Sequence, residues 1–179
     1  MGAPRAEPVV RSDTPTSQPR GCETGTTDVR VPRAVLDAIT SHARRESPRE
    51  CCGLLIGTDT EVAEAVPATN AADDPLRRYE VSPIDYLTQI RRCRELAQRG
   101  EVSIGVVGAY HSHPRSAPEP SPTDLAQAFE EFLYVIAGPV DVPDPVDTRA
   151  YRLRSGRFEA VALIVVEPPE TTSPRATAP

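Results

Sequence analysis

"VSIGVVGAYHSHPRSAPEPSPTD", residues 102–124, packs a strand, a stiff loop and a helix start into one run. β-Branched residues crowd its first half, so it reads as a buried strand. His111 and His113 stand two apart at the strand end. Side chains at that spacing share one face, with Cα atoms about 6.5–7 Å apart, so two imidazoles there can converge on one cation. Pro114, Pro118 and Pro120 stiffen the passage to Ser121, and Pro122 presets the first turn of a helix. Ser121 and Asp124 have the spacing of a helix cap, and "SPID" (82–85) repeats that spacing elsewhere. The question is whether Asp124 only caps a helix or joins the histidines as a third ligand.

The flanking segments suggest an α/β domain. "VPRAVLDAITSHARRE" (31–46) places Val31, Val35, Ile39 and Ala43 at helical spacing, with Pro32 suited to a first turn. "CCGLLIG" (51–57) reads as a buried strand, and "EVAEAVPAT" (61–69) pairs with it through a turn at 58–60. "YEVS" (79–82) reads as a short strand. "SPIDYLTQIRRCRELAQRG" is a helix capped by Ser82 and ended by Gly100, with Cys93 near its apolar face. A helix over 122–132, a strand from Leu133 and a terminal hairpin over 149–167, turning at Ser155-Gly156, complete the chain. The expected class is α/β: one domain with a mixed curved sheet and about three helices.

Composition narrows the functions. Residues 1–27 and 168–179 are rich in Pro, Ser and Thr, and neither segment has apolar surface enough to offset its ordering entropy. They are expected to be disordered tails around a domain spanning 28–167. A net charge of −6 argues against nucleic acid, whose phosphates demand a basic face. The arginine pairs 44–45, 77–78 and 91–92 read as solvated faces, and the lack of any lysine as the coding bias of a GC-rich genome. No apolar run is long enough to span a membrane and no signal peptide opens the chain, so a cytoplasmic protein is expected. The cysteines at 22, 51, 52 and 93 show no C-x-x-C spacing, so no zinc knuckle or redox pair is written here.

Two histidines and one carboxylate make three protein ligands and leave a fourth position open, the pattern of a catalytic zinc site. At this point the sequence resembles the JAMM (MPN-plus) metallopeptidases, in their compact prokaryotic form. "HSHPRSAPEPSPTD" (111–124) has His-Ser-His, seven residues, then Ser-x-x-Asp, and "SPRECCGLLIG" (47–57) supplies the upstream glutamate, Glu50. "VPATNAADDPLRRYEVSP" (66–83) also looks like the linker of compact bacterial members. Ala109 stands where many relatives carry tryptophan, a change of packing and not of a ligand. The resemblance implies one zinc per chain, held by His111, His113 and Asp124. It implies Glu50 as general base and then general acid, and Ser121 as hydrogen-bond donor to the developing oxyanion. It implies hydrolysis of the bond after the C-terminal diglycine of a ubiquitin-like or sulfur-carrier protein, whether to a pro-tail, a lysine or a cysteine.

Two other classes fit parts of the pattern. Two histidines and a carboxylate can hold iron(II) in an oxygenase, which leaves Glu50 and the loop length as coincidences. A non-catalytic MPN-type module could bind a ubiquitin-like partner with its ligands intact. Asn70 reads as a turn residue, with substrate orientation as the sharper alternative. His42 reads as a surface histidine, Cys52 as a small buried side chain or a redox-sensitive thiol, and Ser112 as structural.

Overall fold

The computed structural model describes residues 28–100, 104–143 and 145–167. The tails expected to be disordered, 1–27 and 168–179, lie outside the described residues, as does Cys22. The chain runs β1 (Val29–Pro32), α1 (Arg33–Glu46), β2 (Cys52–Thr58), β3 (Glu61–Ala68), α2 (Pro83–Gln98), β4 (Gly105–Ser112), α3 (Pro122–Gln127), β5 (Leu133–Ala137), β6 (Thr148–Arg154), β7 (Arg157–Val161) and β8 (Leu163–Val166).

The strands form one eight-stranded mixed sheet in the order β7-β6-β5-β4-β2-β3-β1-β8. β4 pairs parallel with β5, β1 pairs parallel with β3 and β8, and the remaining pairs are antiparallel. β7 and β8 sit at opposite ends of this order, yet only Ala162 separates them in the chain. A flat sheet cannot satisfy both facts, because neighbouring strands lie about 4.8 Å apart. The sheet therefore curls until its two edges approach.

β2 lies near the centre and is buried on both faces, which is why it reads as an unbroken apolar run. Leu55 packs with Val35, Ile39 and Ala43 of α1, while Leu54 and Ile56 pack with Cys93 of α2. Truncating such a residue to alanine costs about 2–5 kcal/mol. Gly53 leaves room for the Tyr110 ring, which would collide with a Cβ at that position.

Four expectations need correction. Residues 29–32 form a strand, because Val31 pairs with Val165 of β8; Pro32 precedes the helix instead of sitting in its first turn. The segment expected as a strand over 79–82 makes only an isolated bridge between Val81 and Asn70. α3 stops at Gln127 instead of running to 132: Ala128 turns extended, and the Phe129 N–H donates to the Tyr134 hydroxyl at 2.8 Å. The terminal segment is a hairpin only through Val161; beyond Ala162 the chain leaves β6 and joins β1.

Candidate metal centre

β4 delivers the two histidines. His111 pairs with Cys52 of β2 on one side and with Ile136 of β5 on the other, and it is fully buried. His113 lies just past the strand end, where its N–H donates to the Ala137 carbonyl at 2.8 Å. The two Nε2 atoms stand 3.1 Å apart, and Asp124 Oδ1 and Oδ2 lie 3.5 Å from His111 Nε2 and 3.7 Å from His113 Nε2. Ligand atoms about 2.0–2.2 Å from a tetrahedral cation are about 3.3–3.6 Å from one another. The three buried side chains therefore have the spacing of three corners of such a site, and the set fits a single zinc.

The imidazoles are prepared for that role. His113 Nδ1 lies 2.9 Å from the Ala117 carbonyl, which can only accept, so Nδ1 carries the proton and the Nε2 lone pair is free. The His111 ring is stacked on Tyr79, with centroids 4.1 Å apart and planes 19° apart. Burial pushes the His111 pKa down, with Asp124 opposing. Burial also pulls on His113, but Asp124, the Ala117 carbonyl and Glu50 outweigh it and leave its pKa above the ordinary value. For Asp124, burial is outweighed by the two imidazoles beside it and by the hydrogen bond from the Ser121 N–H, which hold the carboxyl ionised far below its usual range.

Asp124 is both cap and candidate ligand. The Ser121 N–H donates to Asp124 Oδ2 at 2.6 Å and the Asp124 N–H donates to Ser121 Oγ at 3.1 Å, a complete capping box. The box fixes the carboxylate's rotamer while both oxygens stay within reach of the histidines. The Ser121 hydroxyl accepts in this arrangement, so its own hydrogen remains free to donate. The loop ahead of it is tethered to β6: the Tyr151 hydroxyl donates to the Pro118 carbonyl at 3.0 Å, and Arg149 bonds Glu119 at 2.9 Å. In the second copy, Ser82 caps α2, but the Asp85 carboxylate accepts from the Thr69 N–H and faces no histidine.

Glu50 reaches the centre from a different part of the chain. Ser112, between the two histidines, exchanges bonds with Cys51: its Oγ accepts the Cys51 N–H at 2.9 Å and its N–H donates to the Cys51 carbonyl at 3.1 Å. Ser112 is structural, as expected, and it ties Glu50 next to the ligands. The Glu50 N–H donates to the Pro75 carbonyl at 2.8 Å, and its carbonyl accepts from Asn70 Nδ2 at 2.9 Å. Its backbone is thereby held at both the N–H and the carbonyl. Burial raises the pKa of its carboxyl to about 7, with His113 opposing and Asp124 adding to the rise.

Asn70 is the turn asparagine and no substrate handle. Its Nδ2 also donates to the Arg78 carbonyl, and its Oδ1 accepts from the Ala72 and Glu80 N–H groups, so its bonding capacity is spent on its own loop. Cys52 is fully buried and burial pushes its thiol to about 12, the environment of a packed side chain. The expectation for His42 was wrong. It is 8% exposed, and its Nδ1 lies 2.9 Å from the hydroxyl of the buried Tyr110. Tyr79 escaped the sequence reading altogether, because nothing in its local pattern marks a ring destined to stack on a residue of β4.

Residues 32–154 match a family described as prokaryotic homologs of the JAB domain. The chain is 34% identical over 136 residues to a "Probable TtuB-protein conjugate cleaving protease" of Thermus thermophilus, covering 76% of this chain and 82% of that one. It is 31% identical over 146 residues to the "CysO-cysteine peptidase" of Mycobacterium tuberculosis, covering 80% and 95%. A solved structure from Desulfitobacterium hafniense superposes with a TM-score of 0.64 at 22% identity, covering 79% and 95%, which is a likeness of fold.

Proposed function

The chain belongs to the family of prokaryotic JAB-domain homologues, and from that premise we propose that it is a zinc-dependent peptidase or isopeptidase. Its substrate is the bond after the C-terminal diglycine of a ubiquitin-like or sulfur-carrier protein, joined to a pro-tail, a lysine or a cysteine. The observation that carries this reading is the convergence of His111, His113 and Asp124 beside a carboxyl, Glu50, held near neutrality. Residues 28–167 are the catalytic domain. The activity belongs in the cytoplasm, where the free thiols of Cys51, Cys52 and Cys93 stay reduced. Among the described residues no helix is long and apolar enough to cross a membrane.

His111, His113 and Asp124 would hold the zinc. A bound zinc supplies Lewis acidity, making a water acidic enough to ionise near neutral pH. Glu50 takes the proton from the attacking water and passes it to the departing amine, a task suited to a carboxyl with a pKa near 7. The free hydrogen of the Ser121 hydroxyl donates to the oxygen of the scissile carbonyl as it gains charge. Tyr79 and the Ala117 carbonyl keep the two imidazoles from turning away.

The test joins metal to cleavage. Protein purified without chelator should carry about one zinc per chain, and His113→Ala should lose most of it while staying folded. A diglycine-ending carrier fusion should be cut after its second glycine and linked ubiquitin chains poorly, as read by mass spectrometry. The chain between α3 and β5 is too short to clamp a second folded protein, so recognition rests on the extended tail. Faster cleavage of diubiquitin than of the carrier fusion would sink the sulfur-carrier assignment. Metal-loaded protein that binds a carrier yet cleaves nothing would make it a binding module, and iron in place of zinc would favour the oxygenase.

A further inference from the structure

Three of the four tyrosines sheltered in the fold commit their hydroxyls to it. The Tyr110 hydroxyl lies 2.9 Å from His42 Nδ1, the Tyr134 hydroxyl accepts the Phe129 N–H at 2.8 Å, and the Tyr151 hydroxyl donates to the Pro118 carbonyl at 3.0 Å. A sheltered phenol normally finds such a partner, because an unpaired one has given up its bonds to water. Tyr79 is half-buried, as Tyr151 is, yet its hydroxyl makes no hydrogen bond among the described residues. Nor is that oxygen one of the polar atoms sealed from solvent without a partner. It is a donor left open.

The ring that carries the hydroxyl sets its place. The Tyr79 ring lies on the His111 imidazole, with centroids 4.1 Å apart and planes 19° apart. A phenol oxygen stands less than a ring's width from its own ring centre, so this one sits beside a ligand of the candidate metal centre. Burial, then Asp124, Tyr134, Cys52 and Glu50, push its pKa well above the ordinary value. Both carboxyls of the centre are thus among its neighbours, and the hydroxyl keeps its proton to donate.

A diglycine tail has no side chains, so only its backbone can be recognised. Under the hydrolysis described above, the scissile carbonyl lies between Ser121 and the metal ligands. In an extended chain successive carbonyls point to opposite sides, so the carbonyl one residue earlier turns away and needs a donor of its own. Ser121 comes from the cap of α3 and Tyr79 from the segment before α2, so the two hydroxyls reach the tail from separate elements. We propose that the Tyr79 hydroxyl binds substrate, donating to the carbonyl of the penultimate glycine of an extended carrier tail. The inference rests on the peptidase reading and adds a residue that recognises the tail. The ring of Tyr79 then serves His111 and its oxygen serves the substrate. Such a contact exists before the chemical step as well as during it, so it acts on KM more than on kcat.

Tyr79→Phe separates the two parts, because it deletes one oxygen and keeps the stack. Its zinc content should equal that of wild type by elemental analysis. A labelled peptide ending in Gly-Gly, the product of the reaction, should bind the zinc-loaded variant about 5–10-fold more weakly than wild type in fluorescence anisotropy, as expected for one neutral hydrogen bond. A second peptide carries sulfur, a weaker acceptor, in place of the penultimate carbonyl oxygen. It should lose a similar factor on wild type and almost nothing further on Tyr79→Phe. With a cleavable fusion, the variant should show a raised KM and a kcat within about 2-fold of wild type. Equal binding by the two proteins, or a sulfur effect that persists in Tyr79→Phe, overturns the assignment. So does zinc lost from the variant, or kcat lost at unchanged KM, which would give the oxygen to the metal centre or to the oxyanion. Binding that depends on the hydroxyl without any cleavage keeps this contact and overturns the peptidase reading instead.

Discussion

Ser121 is assigned two jobs, and replacing it separates them. Its Oγ accepts the Asp124 N–H at 3.1 Å, closing one half of the capping box on a helix of six residues. Its hydroxyl hydrogen is the proposed donor to the oxyanion. Ser121→Ala removes both, and losing a serine cap to alanine costs about 1 kcal/mol. Ser121→Gly also removes the hydroxyl, yet glycine at a cap costs only a few tenths of a kcal/mol. The other half of the box, Ser121 N–H to Asp124 Oδ2 at 2.6 Å, uses a backbone donor and survives either change. Urea unfolding of the metal-free proteins should therefore rank wild type, then Ser121→Gly, then Ser121→Ala, with about 0.5–1 kcal/mol between the variants. Turnover of a diglycine peptide by the zinc-loaded proteins should fall about 10²-fold or more in both, without that ranking. Turnover in Ser121→Gly within a few-fold of wild type would refute the donor assignment and leave Ser121 as a cap.

Two further outcomes follow from the surroundings of single groups. Glu50→Gln should retain its zinc by elemental analysis and lose turnover by at least about 10²-fold; cleavage at the wild-type rate would end the proton-transfer assignment. His42 has its pKa lowered by burial, with Arg45 adding and Glu46 opposing. A group whose folded pKa lies below its unfolded value contributes stability that is complete above about pH 6.5 and lost as pH falls through the folded pKa. Wild type should therefore lose urea resistance between about pH 7 and 5 more steeply than His42→Gln. Equal slopes would show that the ring is free to protonate in place.

Much of the site was legible because it is local. His111 and His113 share a strand face by the two-residue repeat, and Ser121 and Asp124 meet across one helical turn, so spacing alone predicts both pairs. The burial of His42 was legible too, since it follows Ile39 by three and Val35 by seven, on the stripe that α1 buries. Histidine's polarity hid it, and the partner that satisfies it, Tyr110, comes from another element. The overlong α3 had the opposite cause. Phe129 and Phe132 continue a helical spacing, but the Tyr134 hydroxyl and the Leu153 carbonyl draw the backbone N–H groups of residues 129 and 131 out of the helix.

Local spacing thus marked the strands at the core, the helix starts and the histidine pair, and the resemblance to the JAMM metallopeptidases singled out Asp124, rather than the equally spaced Asp85, as the third candidate ligand. Tertiary structure alone decided how Glu50 arrives beside them, because that depends on the register that sets Cys52 against His111 and ties Cys51 to Ser112. It decided that Asn70 is consumed in holding Glu50, that Tyr79 lies flat on His111, and that β7 and β8 end at opposite edges of a curled sheet. The physical reason is common to all of these. Hydrogen-bond partners and stacking faces separated by tens of residues are selected by strand register and sheet curvature, and neither leaves a periodic trace in the chain.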